Sequence, residues 1–342
     1  MRVATTIALG VALLMSTTAL AATTFTVTPL VADKEGKAPN TDPNLKNPWG
    51  ISQFPGGNLW VSDNKNGLST LYNPNTGAVQ TLVVTIPGGK PTGQIALPGG
   101  HGFQVTSGDK TGDPFFVFAS ETGKITGWAP SVDGTHAIVG FDINAGARKE
   151  DESEHYTGLA WDPTTNHLFA SDMTRNSIDI IDNTWHLVSS FTDPDVPAHY
   201  GPFNVALLNG KLYVTFAKLR NDGEEVQEGP GLGYVDVFAT DGTLEKRLVS
   251  NGPLNAPWGL IMGPANFGEF AGKLMVGNFG EGRINAFDTR TGALVGTLKN
   301  GAKDFQYEDL WQLDDTGNDA ITFSAGLRRE KHGIIGLITP KP

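Results

Sequence analysis

A segment near the start of the chain, Asn47-Pro48-Trp49-Gly50-Ile51, returns far downstream as Asn255-Ala256-Pro257-Trp258-Gly259-Leu260, and the two runs after it recur in the same order. Leu59-Trp60-Val61-Ser62-Asp63 is answered by Leu274-Met275-Val276-Gly277-Asn278. Ser69-Thr70-Leu71-Tyr72-Asn73 with Thr76-Gly77 is answered by Ile284-Asn285-Ala286-Phe287-Asp288 with Thr291-Gly292. A recurring unit of short strands is a small sheet with two apolar faces, so it has to stack on further copies of itself. Composition agrees: 43 Gly and 21 Pro in 342 residues, with few long segments of helical period, indicate many strands joined by tight turns.

Runs of about five alternating or β-branched residues, bounded by Gly, Pro, Asn or Asp, fall into sets of four. The sets are 49–53, 58–62, 69–73 and 79–85; then a start near 91–93 followed by 115–119, 124–128 and 137–141; then 157–161, 168–171, 177–181 and 186–191. They continue as 203–207, 211–215, 234–238 and 244–249, then from Trp258 through 273–277, 283–287 and 294–298. The last set, 310–313, 320–324 and 333–338, lacks a strand. The alternating run Thr24-Phe25-Thr26-Val27-Thr28-Pro29-Leu30-Val31 supplies one, since a ring left open would expose two sheet edges. The interval from Trp49 to Trp258 over four steps gives about 50 residues per step, the length of longer propeller repeats. The expected fold is all-β: a six-bladed β-propeller closed by an N-terminal strand that completes the last blade, forming one domain over 22–342. In the Trp-Gly pairs, Gly permits close approach at the crowded inner strand and Trp is expected to fill the gap between blades.

Residues 1–21 read as a secretory signal, with Arg2, an apolar stretch over 7–15 and a small-residue cleavage site at Ala19-Leu20-Ala21. Nothing later approaches the ~20 apolar residues of a spanning helix, so export to the periplasm or the medium is expected, with no membrane insertion and as a monomer. A net charge of −11 argues against nucleic acid as a partner. With no Cys, disulfide staples, thiolate chemistry and Cys-ligated zinc are excluded.

In a propeller, the loops into each innermost strand and those after each second strand open on one face of the central channel. By that rule the ligand-facing candidates are Asn47, Asp63, Asn64, Glu121, His155, Asp172, Lys218, Asn255, Asn278 and Asp309, and His101 is also placed near the mouth. Oxygen ligands converging from several blades suit Ca2+ or Mg2+, for which Asp63, Asp172, Asn255, Asn278 and Asp309 are the candidates. Such a cation could polarise a lactone or ester carbonyl, with His155 or Glu121 as general base. The alternative for each Asp and Asn is a turn-capping bond to its own backbone. Two longer loops, 148–155 and 218–231, bring an acidic rim to the same face. No Gly-Xaa-Ser-Xaa-Gly or His-Glu-Xaa-Xaa-His is present. A non-catalytic propeller that binds a small molecule, glycan or protein on this face is therefore the first expectation, and a divalent-metal-assisted hydrolase or lyase the second.

Asn47-Pro-Trp-Gly, Leu59-Trp-Val-Ser-Asp-Asn, Gly201-Pro-Phe-Asn, Gly229-Pro-Gly-Leu-Gly-Tyr-Val-Asp-Val-Phe and Asn255-Ala-Pro-Trp-Gly-Leu together resemble a group of exported bacterial NHL-like propellers. That resemblance implies six blades and export, and no reaction. More distantly the architecture is similar to the gluconolactonase and senescence-marker propellers and to the streptogramin lyases. The former resemblance implies a divalent metal over the channel, with Asn255 or Asn47 in an Asn role and Asp309 in an acidic one. Leu45-Lys46-Asn47 stands where those enzymes place a metal-binding Glu.

Overall fold

A computed structural model describes residues 23–146, 155–220, 225–315, 317 and 319–341; the expected signal segment and most of the acidic loop before His155 lie outside them. The chain is all-β and arranged as a propeller. Five four-stranded antiparallel sheets follow one another along the sequence, each with its strands in chain order from the centre outward. They begin with the inner strands Pro48–Ser52, Pro91–Ala96, Tyr156–Asp162, Tyr200–Leu208 and Pro257–Met262. A small hairpin, Val105–Ser107 with Lys110–Gly112, is inserted after the inner strand of the second sheet.

The remaining sheet differs from the expected set of four. It has seven strands: Leu310–Asp315, Ile321–Ala325, Ile334–Pro340 and Phe25–Ala32 in that spatial order, extended by Lys299–Asn300, Lys303–Asp304 and Asn40–Thr41. The N-terminal strand pairs antiparallel with the last strand, from Phe25 opposite Pro340 to Ala32 opposite Ile334. The three extra strands arise because the segments flanking it fold back on its free edge, with Asn300 paired to Phe25 and Asn40 to Val31. That covers an edge that would otherwise be open to pairing with another chain.

The inner strands touch in a closed circle, and the glycines of the repeat explain how. A Cβ on Gly50 would lie 2.5 Å from the Thr92 carbonyl oxygen, one on Gly93 2.6 Å from the Leu159 nitrogen, and one on Gly259 2.6 Å from the Trp311 carbonyl oxygen. Gly158 meets Asn204 in the same way. Where no Gly stands, a side chain bonds across: Asn204 Nδ2 donates to the Trp258 carbonyl at 2.8 Å and Ser324 Oγ to the Trp49 carbonyl at 2.6 Å. The core is divided among the interfaces between successive sheets, as with Trp60, Phe116 and Trp128 between the first two or Val31, Ile51 and Ile335 at the closing seam. Such burial, at about 25 cal/mol per Å² of apolar area, is what makes each sheet depend on its neighbours.

One interface holds a buried acid pair. Asp236 and Asp193, both 1% exposed or less, share Arg247, whose Nε donates to Asp236 at 3.2 Å and whose Nη2 pairs with Asp193. Burial, with the hydrogen bond to Asp193, pushes Asp236 up to about 7, while Asp193 is held low by Asp236 and Arg247 against its own burial. The native state therefore keeps a proton on Asp236 that the unfolded chain gives up near pH 4, so this site loses stability as pH rises from about 4 to about 7. Asp236→Asn should flatten that loss: urea unfolding at pH 5 and pH 8 should show wild type losing roughly 2–4 kcal/mol more than the variant. Equal pH dependence in the two proteins would refute the assignment.

Candidate functional site

The mouth of the channel is built by one backbone device used in every sheet. The residue before each inner strand accepts a hydrogen bond from the amide just past the second strand: Asn47 from Asn64, Lys90 from Glu121, His155 from Met173, His199 from Leu219, Ala256 from Phe279 and Asp309 from Gly326, at 2.7 to 3.2 Å. Asn47, Lys90, His199, Ala256 and Asp309 also have φ between 47° and 64°, a left-handed turn that costs a non-glycine residue about 1 kcal/mol or more. Repetition of such a strained residue around one opening is what a shared loop geometry requires.

Below the mouth the channel is filled. Trp49 stacks on Trp311 with ring centroids 3.5 Å apart, and Trp258 meets both edge-on at 5.9 and 5.6 Å. Phe203, from the fourth inner strand, reaches Trp49 of the first at 6.2 Å, and Phe279 tilts onto Trp311 at 4.5 Å. The Trp side chains thus meet one another across the axis, which corrects the expectation that they fill gaps between blades. Trp311 Nε1 donates to Asn47 Oδ1 at 2.9 Å and Trp258 Nε1 to the Thr157 carbonyl at 3.2 Å. Trp49 Nε1 is buried and has no hydrogen-bond partner among the described residues.

Nine of the ten candidate residues divide into two groups, and Asn255 stands one residue before the mouth position Ala256. Asn47, Asn64, Glu121, His155 and Asp309 belong to the mouth by this backbone pattern. Asn64 Nδ2 lies 3.4 Å from Glu121 Oε2 and 3.3 Å from the Pro91 carbonyl, and Glu121 faces Lys90 at 3.6 Å. Asp309 Oδ2 accepts the Glu330 amide at 2.7 Å. Asp63, Asp172, Lys218 and Asn278 are the last residues of their second strands, one position before the mouth. Asp63 accepts from Thr70 Oγ1 at 2.7 Å beside Tyr72 and Asp42, and burial drives it well above the usual carboxylate range. Asp172 caps its own turn, accepting from Thr174 Oγ1 and the Arg175 amide at 2.9 Å, and burial lifts it to about 6. Asn278 Oδ1 accepts the Asn255 amide at 2.9 Å, and Asn255 Oδ1 accepts the Gly229 amide at 2.8 Å. Of the five candidate metal ligands only Asn255 and Asn278 are bonded to each other, and among the described residues no group of three or more His, Asp or Glu is placed to hold a metal ion. His101 is at the other end: Asn166 and Asn183, on the turns opposite the mouth, bond its carbonyl.

Residues not singled out from the sequence complete the rim. Lys90, His199 and Ala256 occupy positions equivalent to Asn47, while Glu281 and Glu330 come from loops after the second strands. Burial pushes Glu281 up to about 7 against a hydrogen bond from Asn255 and the charge of Arg283. Burial also lifts Asp309 to about 7, and the charges of Glu330, Glu228 and Glu308 add to it. Glu330 is raised by burial and by Glu121 and Glu225, with Lys65 at 3.0 Å opposing. The mouth therefore gathers several half-buried carboxyls over an aromatic plug, with Lys65 and Lys90 paired to two of them.

No protein-family model matches the chain. Its fold is similar to that of a streptogramin B lyase structure, with a TM-score of 0.53 at 12% identity, covering 93% of this chain and 98% of that one. In sequence it is 33% identical over 291 residues to an uncharacterized protein of Acanthamoeba polyphaga mimivirus, covering 82% of this chain and 70% of the relative. A second uncharacterized protein of the same virus is 33% identical over 289 residues, covering 81% and 75%. These relatives are viral and give no support to the resemblance to an exported bacterial group. The chain belongs to the same family as these two mimivirus proteins.

Proposed function

We propose that this chain is an exported, monomeric six-bladed propeller, its seven-stranded sheet serving as the sixth blade, that binds a positively charged, amine-bearing ligand at the mouth without transforming it. The observation that carries this reading is the set of half-buried carboxyls at the rim: burial lifts Asp309 and Glu281 to about 7, and the charges of Glu330, Glu228 and Glu308 add to the rise at Asp309. A cation there compensates the lost solvation that holds protons on these carboxyls, and at Asp309 also the repulsion from its acidic neighbours. The aromatic plug supports binding over turnover, because it leaves the ligand at the surface of the channel and draws no reacting groups together beneath it. For the second reading, a metal-assisted hydrolase or lyase, the residues do not fit, since Asp63, Asp172 and Asn278 are committed within their own sheets.

The test uses a polyamine such as spermine. Calorimetric titration in two buffers of different ionisation heat should show proton release on binding, and affinity should rise several-fold from pH 6 to pH 8 as the carboxyls ionise. Asp309→Asn with Glu281→Gln should abolish the proton release. Binding that is unchanged in this variant, or equally strong for an uncharged diol of the same length, defeats the proposal.

A further inference from the structure

A second feature lies at the seam where the N-terminal strand meets the closing sheet, away from the plug. A cavity of about 160 Å³ opens between the segment after Phe25–Ala32 and the loop before Ile334–Pro340, with Asp33, Lys34, Lys37, Leu327, Arg328 and His332 in its lining. Its acid is already engaged: Asp33, 6% exposed, pairs with Lys46, accepts from His332 Nδ1 at 2.8 Å and takes the Gly333 amide at 3.2 Å. Those bonds hold Asp33 ionised, outweighing a burial that would raise it. Lys34, Lys37 and Arg328 are exposed, and among the described residues none of them has an ion-pair partner. In a chain of net charge −11, three cations thus line one cavity whose single acid, Asp33, is engaged by Lys46 and His332.

Arg328 is also held in place at a cost. It opens a run of three left-handed residues, Arg328, Arg329 and Glu330, with φ of 56°, 56° and 60°. Two carboxylates clamp the run: Glu308 Oε2 accepts the Arg328 amide at 3.0 Å and Asp309 Oδ2 accepts the Glu330 amide. Consecutive non-glycine residues in this region are disfavoured, and strain of this kind collects where a side chain has to be aimed.

We propose that this seam cavity binds a small oxyanion, a phosphate or carboxylate group, through Lys34, Lys37 and Arg328. The apolar wall from Leu327 and Ala32 seats the rest of the ligand, and His332, oriented by Asp33, adds a polar ring edge. Because its two walls come from opposite ends of the described chain, the site exists only when the N-terminal strand is docked, and the anion clasps that closure. This inference uses different side chains from the reading of the mouth, although Arg328 and Glu330 share one loop.

Thermal unfolding of the full chain, at constant ionic strength with chloride as reference, tests it. Phosphate or succinate at millimolar concentration should raise the melting midpoint, because a ligand bound only to the folded state stabilises it. Whichever anion gives the larger shift identifies the group. The triple variant Lys34→Ala, Lys37→Ala, Arg328→Ala should weaken the anion at least tenfold, whereas Lys110→Ala, on the remote hairpin, should not. Arg328→Gly separates the roles: glycine accepts the left-handed backbone, so its midpoint in chloride should rise while its anion affinity falls. The proposal is overturned if chloride matches both anions, or if the triple variant keeps the full shift.

Discussion

A chain lacking residues 1–32 is expected to lose its cooperative unfolding transition and to aggregate, although five four-stranded sheets remain intact in its sequence. Phe25–Ala32 is the outer partner of Ile334–Pro340 over seven residue pairs, and without it that strand becomes a long apolar edge. The loss reaches both neighbouring interfaces. Phe25 is fully buried, with its ring 5.0 Å from Phe267 and 5.8 Å from Phe270 of the fifth sheet, while Val31 packs with Ile51, Leu59 and Val61 of the first. A circular stack is stabilised by every interface at once, so weakening two adjacent ones frees the ends of the rest. The milder Phe25→Ala should cost about 3–5 kcal/mol, read by urea unfolding. A peptide spanning 23–33, added to the truncated chain, should restore its circular dichroism melt and its compact elution. A truncated chain that melted cooperatively unaided would show that the strand is an accessory to the fold.

The sequence carried more of this architecture than of the site, and the reason is local. Pro-Trp-Gly is readable because backbone touches backbone at Gly50 and Gly259, as it does at Gly93 of Pro91-Thr92-Gly93, and no other residue satisfies that contact. The phase of side chains at the mouth is harder to read. Inner strands carry register shifts near their starts, between Pro48 and Ile51, Tyr156 and Gly158, Pro202 and Asn204, and Pro257 and Gly259. A bulge changes which residues face the axis, and the rule that the loops after the second strands open on the mouth took in Asp63, Asp172 and Asn278, which are still the last residues of those strands. The backbone pattern instead selects Asn64, Met173 and Phe279. His199 escaped notice because the fourth inner strand runs His199-Tyr200-Gly201-Pro202, with its proline later than in Asn47-Pro48 or Ala256-Pro257. Lys299–Asn300 and Lys303–Asp304 were too short to register as strands, since their pairing depends on a partner from the other end of the chain.

Trp258→Ala is expected to be among the most destabilising single substitutions in the chain, at about 3–5 kcal/mol in urea unfolding. Three losses coincide there. The side chain is fully buried, its indole N–H is satisfied by the Thr157 carbonyl, and its ring closes against both Trp49 and Trp311. An interface tryptophan offers the comparison: Trp60 stacks on Phe116 at 4.1 Å but joins only two adjacent sheets. Trp258 touches rings from the first and closing sheets and bonds the inner strand of the third, so its removal loosens inner strands all round the axis. Residues in contact couple, and Trp49→Ala with Trp258→Ala should deviate from additivity by about 0.5 kcal/mol or more, whereas Trp60→Ala with Trp258→Ala should add. A Trp258→Ala cost below about 1 kcal/mol, or strict additivity with Trp49→Ala, would mean that the channel is not held by its aromatic filling and that the interfaces between sheets alone carry the ring.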